Sequence, residues 1–534
     1  MTLIFDNAQL FDPAIGQWVP TAFSVEDGMV LLVGKPGSLK GSFVTDLKGA
    51  RVVPGLIDAH VHIESSLLTP REFGRLSLKN GVTTVIADPH EIANVSGCPG
   101  IDFMLRDAKN SPADIFFMIP SCVPATPLDM GGAVVSSSDI ASYRNDPSVI
   151  GLGEMMNVPG VLNGDPEVLA KIALFDHVDG HAPGLSGEAL CRYISRHIKT
   201  DHECISAEEG NEKLSLGMYV LLREGDAAKN VAALSGIVND WTASRCCFCT
   251  DDRHVDSLVR EGSIDHCIRV AVSSGMSLEH ALRLSTLSAA DCFGLLDRGM
   301  IAPGRVADFC ILQSGSEFRI LDVYKNGIHV SSLPKPKKAE GCISPPFSCR
   351  IPKIEELALP KGKLRVIGLV PGEIMTEILD SETALNVQKV VSVDRYRSEG
   401  FGVGLVQGFS LVKGALASSI SHDAHNIIAT GVTDEEIIQA ISAVKDSGGG
   451  MVVVCDGIST ILPLPYGGLM TSLPYEEVMN QMDELVGELD LTGASPATFM
   501  NLSFLSLTVI PHLRITPRGL FDGDAFKDVP ILFE

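Results

Sequence analysis

The 534 residues carry 66 acidic and 42 basic side chains, a formal net charge of −24, with 45% hydrophobic and 20% charged residues. This is a globular composition with enough apolar material for about three domains or one large barrel with additions, and its charge repels polyanions, which excludes nucleic acid and leaves small neutral molecules and metal cations as partners. Thirteen scattered cysteines without paired spacings suit reduced thiols. No apolar run reaches the ~18 residues of a membrane span and residues 1–10 lack the pattern of a secretory leader, so no membrane partner and a cytoplasmic location are expected.

From the N-terminus, Leu3-Ile4-Phe5 and the run from Met29 to Val33 are separated by the turn signals Asp6-Asn7, Asp12-Pro13 and Gly34, which predicts a small antiparallel β unit. The pattern returns after Ala302-Pro303-Gly304, from Phe309 to Leu312 and at Val323-Tyr324-Lys325-Asn326-Gly327. Residues 1–52 and 296–333 are therefore expected to pair as one small β domain. Between them, over residues 53–295, short apolar strands alternate with helical stretches, the mark of a parallel α/β fold. Eight strands are predicted, at 57–63, 83–87, 115–119, 149–153, 175–179, 204–206, 219–222 and 246–250, which fits a TIM-like (β/α)8 barrel. Cys246-Cys247-Phe248-Cys249 falls in the last of these and reads as buried core, because one C-x-x-C lacks the second pair of a structural zinc site.

Pro334-Lys335-Pro336-Lys337-Lys338 opens an extended linker over 334–359. Residues 360–534 then predict a C-terminal α/β domain packing on the barrel, with strands at 364–370, 389–393 and 451–455 and a helix over 434–446. The glycines 448–450 read as a helix-ending turn, since no Gly-Lys-Ser/Thr follows.

The active site of such a barrel lies at the C-terminal ends of its strands. The first predicted strand ends in His60-Val61-His62, and residues i and i+2 of a strand face the same side, so both imidazoles aim at one point. Alone, the pair is equally compatible with ordinary strand histidines. Glu154 ends the fourth strand, His181 follows Asp179-Gly180 at the fifth, His202 opens the sixth region, and Asp251 ends the eighth. Four histidines and two carboxylates supply ligands for two divalent cations: His60, His62 and Asp251 on one, His181 and His202 on the other, Glu154 spanning both. Such a set suits Zn, Mn or Fe(II) rather than Mg or Ca. A water between two such ions is polarised toward hydroxide, so the reaction class is metal-assisted hydrolysis.

Pro54-Gly55-Leu56-Ile57-Asp58-Ala59-His60-Val61-His62 resembles the first-strand motif of the amidohydrolase superfamily. Essentially the whole chain resembles the bacterial adenine deaminases within it. That closer resemblance rests on the stretch from Ala87-Asp88-Pro89-His90-Glu91 to Val95, on Gly153-Glu154-Met155-Met156-Asn157, on Asp179-Gly180-His181-Ala182-Pro183-Gly184, on Thr200-Asp201-His202-Glu203, and on Ser421-His422-Asp423-Ala424-His425-Asn426. It implies hydrolytic deamination of adenine to hypoxanthine and ammonia, in purine salvage, with two divalent ions, Mn foremost and Fe(II) or Zn as alternatives. Many superfamily members bridge their metals with a carboxylated lysine; here Glu154 takes that place, which argues against a hydantoinase or dihydroorotase. A related 6-aminopurine or a cyclic amide remains the alternative substrate.

Within that mechanism Asp251 is expected to take the nucleophile's proton and deliver it to the leaving amine, and Glu203 to protonate ring N1, against a surface or structural role. His90 and Glu91 follow the second strand and are expected to back the ligands or touch substrate, with helix initiation as the alternative for Glu91. Asp88 initiates the turn before Pro89. His422, Asp423 and His425 are expected to cover the barrel mouth and meet the purine or an extra metal, or to form an interdomain seam; helix and loop both fit their spacing. A homodimer is the default assembly.

Overall fold

Strands from both flanks of the first 333 residues build one sheet in this computed structural model, which describes residues 2–313, 318–336, 341, 343, 347–370, 375–398, 400–495 and 497–533. The order is Ile328–His329, Ile320–Lys325, Phe309–Leu312, Arg51–Pro54, Leu3–Asp12, Gln17–Glu26 and Met29–Gly34, with Phe43–Asp46 also pairing Leu3–Asp12. Phe5, Phe23, Phe309 and Tyr324 pack ring against ring at its centre, with centroids 4.6–5.3 Å apart. These aromatics come from both flanks, so the sheet forms only when the chain between them has looped back.

The intervening chain forms eight parallel strands: β1 (Leu56–Val61), β2 (Val82–Ala87), β3 (Asp114–Ile119), β4 (Val149–Met155), β5 (Val178–Gly180), β6 (Thr200–Asp201), β7 (Tyr219–Arg223) and β8 (Cys246–Cys249). They lie in two hydrogen-bonded arcs, β1 to β5 and β6 to β8. A single bridge closes each gap, Val178 with Ile198 between β5 and β6 and Val61 with Asp251 between β8 and β1. β8 is buried at all four residues, cysteines included, as core.

The sixth strand corrects the sequence reading. It was expected at 204–206, where an apolar run could be drawn, and it lies instead at Thr200–Asp201. Both residues are polar and fully buried. Thr200 Oγ1 donates to Asp179 Oδ1 at 2.6 Å, and Asp201 accepts from Ala182 N and Lys213 Nζ at 2.8 and 2.9 Å, so neither needs water. A strand that satisfies its polar groups internally leaves no apolar signature. The shift also moves His202 from the start of a strand to the C-terminal end of one.

The C-terminal unit is built on an eight-stranded, mostly antiparallel sheet ordered Thr376–Asp380, Arg365–Leu369, Phe401–Gln407, Val387–Val393, Ile427–Gly431, Ala415–Ser418, Gly450–Cys455 and Ile458–Pro463. Alternate residues serve different cores: Val452 and Val454 pack under helix Asp434–Asp446, while Met451 and Val453 join the core shared with helix Tyr475–Leu491 and the barrel. The helix over 434–446 ends in the expected glycine turn, Gly449 N donating to Val444 O at 2.9 Å. The linker expected over 334–359 is shorter than read, because Cys349 and Leu357 are already buried in the core under that helix. Lys337 and Lys338 lie outside the described residues.

This unit sits against the barrel loops that follow β1, β2 and β3. Leu68 bridges Thr471, Asn426 Nδ2 donates to Met130 O at 3.1 Å, and Thr508 Oγ1 donates to Asp129 Oδ1 at 2.7 Å. Among the described residues no helix is long and apolar enough to cross a membrane.

Candidate metal centre

β1 is buried throughout, and its pleat sends His60 and His62 to one point, with the two Nε2 atoms 3.2 Å apart. Asp251 meets them from across the β8–β1 gap, its Oδ1 3.5 Å from His60 Nε2 and 3.2 Å from His62 Nε2. It reaches there from a left-handed backbone, φ 57°, a conformation few non-glycine residues adopt. Glu154, at the end of β4, turns one oxygen to each side of the site. Its Oε1 lies 3.2 Å from His62 Nε2, and its Oε2 lies 2.7 Å from His181 Nδ1 and 3.4 Å from His202 Nε2. The six expected ligands therefore converge, and all but His181 are buried.

These spacings suit cations. Ligand atoms about 2.0–2.2 Å from a shared ion stand a little over 3 Å from one another, close to the separations within His60, His62 and Asp251. The tautomers agree. His62 Nδ1 lies 3.0 Å from the Asp88 carbonyl, which can only accept, so that nitrogen holds the proton and Nε2 presents its lone pair inward. His60 Nδ1 faces Asp179 Oδ2 at 3.5 Å in the same sense. Burial would push all four imidazoles down, yet the surrounding carboxylates raise them, His62 and His202 well above the ordinary value. Burial would likewise raise Glu154 and Asp251, but the histidines around Glu154 and Arg223 beside Asp251 hold both carboxyls well below their usual range. A buried pocket of anions that draws positive charge this strongly fits divalent ions.

Glu203 follows His202, with Oε1 3.2 Å from His202 Nε2 and 3.7 Å from His181 Nδ1. Arg223, the last residue of β7, donates from Nη2 to Glu203 Oε2 at 3.0 Å and from Nη1 to Asp251 Oδ2 at 2.7 Å, and its Nη1 also contacts Glu203 Oε1. Burial would raise the Glu203 carboxyl, but Arg223 and then His181 hold it low, so its resting form is the anion. Arg223 was missed by the sequence reading, although a charged residue closing an apolar strand satisfies the criterion that found the ligands. Asp88 was read as a turn residue. Its Oδ2 accepts the Glu154 amide at 2.9 Å and so aims that residue.

His90 stacks edge-on to His62, centroids 4.5 Å apart, with Nδ1 3.5 Å from Glu154 Oε1. Glu91 binds the C-terminal unit, contacting His422 Nδ1 through Oε1 and His425 Nε2 through Oε2. The 421–426 stretch is a turn rather than a helix, and it does form an interdomain contact, with Asp423 buried inside it.

Residues 51–330 match the amidohydrolase family and residues 370–527 the adenine deaminase C-terminal domain. The chain is 50% identical to an adenine deaminase of Methanoculleus marisnigri over 96% of this chain and 100% of that one, and 49% identical to one of Methanoregula boonei over 99% and 96%. An adenine deaminase of Geobacillus kaustophilus is 38% identical over 99% and 96%. Among solved structures, an enamidase aligns with a TM-score of 0.48 and 20% identity over 64% of this chain and 99% of that one. The chain belongs to the adenine deaminase family of the amidohydrolases.

Proposed function

We propose that the protein hydrolyses adenine to hypoxanthine and ammonia at a pair of divalent ions, manganese foremost. The observation that carries this reading is Glu154, whose two oxygens serve two separate histidine pairs, His60 with His62 and His181 with His202, in a chain half identical to proteins named adenine deaminase. His60, His62 and Asp251 would hold one ion, His181 and His202 the other, and Glu154 both. Imidazole with carboxylate is a donor set for Mn, Fe(II) or Zn, and ions held there supply the Lewis acidity that makes a water acidic near neutral pH.

The chain's own residues manage the two protons that water brings. Deamination sends one to ring N1 and the other to the departing amine, leaving a C6 carbonyl. Asp251, ionised by Arg223 and facing the ligand centre through Oδ1, takes a proton and passes it to the amine. Glu203 serves N1. Because it rests as an anion, the proton it gives N1 is one it has first accepted from the attacking water. The free thiols, twelve among the described residues and ten of them buried, accord with a reducing cytoplasm.

The test is ammonia release from adenine by metal-stripped protein reloaded with Mn, Fe(II) or Zn. Activity restored by about two equivalents per chain is expected; no ammonia with any of the three overturns the reading. Glu203→Gln at full metal content and near wild-type turnover would remove Glu203 from the mechanism.

A further inference from the structure

Glu91, His422 and His425 have the composition of a third metal site, but the hydrogen bonds point elsewhere. The Ser421 amide donates to His425 Nδ1 at 3.2 Å, so Nδ1 carries the lone pair and Nε2 the proton. That proton is donated to Glu91 Oε2, which leaves no lone pair for a cation. His422 Nδ1 donates to Glu91 Oε1. One barrel carboxylate thus grips both ends of the turn. From its own side the turn is held by Ser503 O, which accepts from His422 N at 3.0 Å, and by Tyr396, whose hydroxyl donates to Ala424 O at 2.7 Å.

What this grip positions is Asp423. Its side chain is 7% exposed, and among the described residues its Oδ2 has no hydrogen-bond partner. Glu64 Oε2, on the loop after β1, is buried without a hydrogen-bond partner as well, whereas His90 Nδ1 stands 3.7 Å from Asp88 Oδ1 and 3.5 Å from Glu154 Oε1. Asp423 follows His422, whose partner Glu91 has Oε1 3.8 Å from His90 Nε2, and His90 packs edge-on to His62; Glu64 Oε1 accepts from Ile92 N at 3.0 Å, one residue beyond Glu91, so both carboxyls lie along one wall beside the candidate ligands. Buried polar atoms are nearly always paired, so two unpaired carboxyl oxygens on one wall, Asp423 Oδ2 and Glu64 Oε2, mark where a polar molecule binds.

We propose that Asp423 accepts a hydrogen bond from the imidazole-ring N–H of a free purine base, so that the C-terminal unit selects the base over its nucleoside. Resting on the adenine deaminase reading, this selection is one of donors. Adenine has two kinds of N–H, the C6 amine, which must face the ligand centre, and the proton on the five-membered ring at the opposite side. Burial and the neighbouring Glu91 push the Asp423 carboxyl up to about 7, and in its ionised form above that pH it can use only a donor there. An N9-substituted purine offers bare N7 and a carbon instead, leaving Asp423 buried and unpaired.

The experiment is calorimetric binding of hypoxanthine and 9-methylhypoxanthine, neither of which turns over, to the metal-loaded full chain. Wild type should favour hypoxanthine by at least about 100-fold. Asp423→Ala should bring the two affinities within about threefold at unchanged metal content, and the isosteric Asp423→Asn should cut the preference at least tenfold, because a general packing defect weakens both ligands alike. A preference unchanged in both variants, or absent in wild type, overturns the proposal. If wild type releases ammonia from adenine and the preference ignores residue 423, only this inference fails; if no ammonia appears, the reading of the reaction fails first.

Discussion

Arg223 holds Asp251 by the oxygen that the histidines do not use. Its Nη1 lies 2.7 Å from Asp251 Oδ2, while Oδ1 faces His60 and His62. The same guanidinium grips Glu203, so one buried cation orients both carboxylates proposed for proton transfer. Arg223→Gln should lower kcat about 10- to 100-fold, the usual cost of losing a group that orients a metal ligand. Steady-state kinetics with metal analysis checks this; a variant with wild-type kcat would mean that neither carboxylate needs the arginine.

Gly153 is a tight position next to Glu154, the proposed bridge between the two ions. A Cβ there would come within 2.1 Å of Asp88 Oδ2 and 2.6 Å of its Cγ. Gly153→Ala must therefore displace the carboxyl that receives the Glu154 amide. Overpacking of this kind costs about 1–3 kcal/mol, and bound metal and turnover should fall together. Elemental analysis of the purified variant reads the effect, and full metal content would show that Glu154 keeps its aim without Asp88.

Glu91→Ala strips two buried imidazoles of their acceptor at once. Breaking a buried pair by removing one partner costs about 3–5 kcal/mol. The expected result is a loosened C-terminal unit, visible as faster amide exchange over residues 419–428 in mass-spectrometric hydrogen exchange. Unchanged protection there would mean that the backbone contacts of the turn suffice.

Burial lowers the His422 imidazolium, but Glu91 outweighs it and lifts the group to about 9. A group raised on folding adds stability in full below its unfolded value of about 6.5, and loses that stability as pH rises through the folded value. The melting temperature of the metal-loaded protein should therefore decline from about pH 6.5 to 9 through this group. His422→Gln should flatten that part of the profile, and identical profiles for both proteins would show that the pair carries no pH-dependent stability.

The candidate ligand set was legible because mostly apolar runs at β1, β4 and β8 lead into His60 and His62, Glu154 and Asp251. Strand β6 was not, since Thr200 and Asp201 bury polar groups that pair with Asp179, Ala182 and Lys213, and side-chain pairing across strands leaves no trace in local hydropathy. The same reason hid Asp88, whose job is to receive an amide 66 residues away. His422 and His425 could be recognised as a cluster, yet Glu91, more than 330 residues earlier, is what gives them a function, and spacing within the cluster carries no information about it.

The strand pairing of the barrel wall narrows to a single bridge at two seams, Val178 with Ile198 and Val61 with Asp251. The residues proposed to hold the two ions flank those same seams. His181 stands on one side of the first and His202 on the other; His60 and His62 stand on one side of the second and Asp251 on the other. Cations held by these groups would act as rivets across the joints of the wall. Loss of metal would then loosen the joints of the wall as well as silence the chemistry.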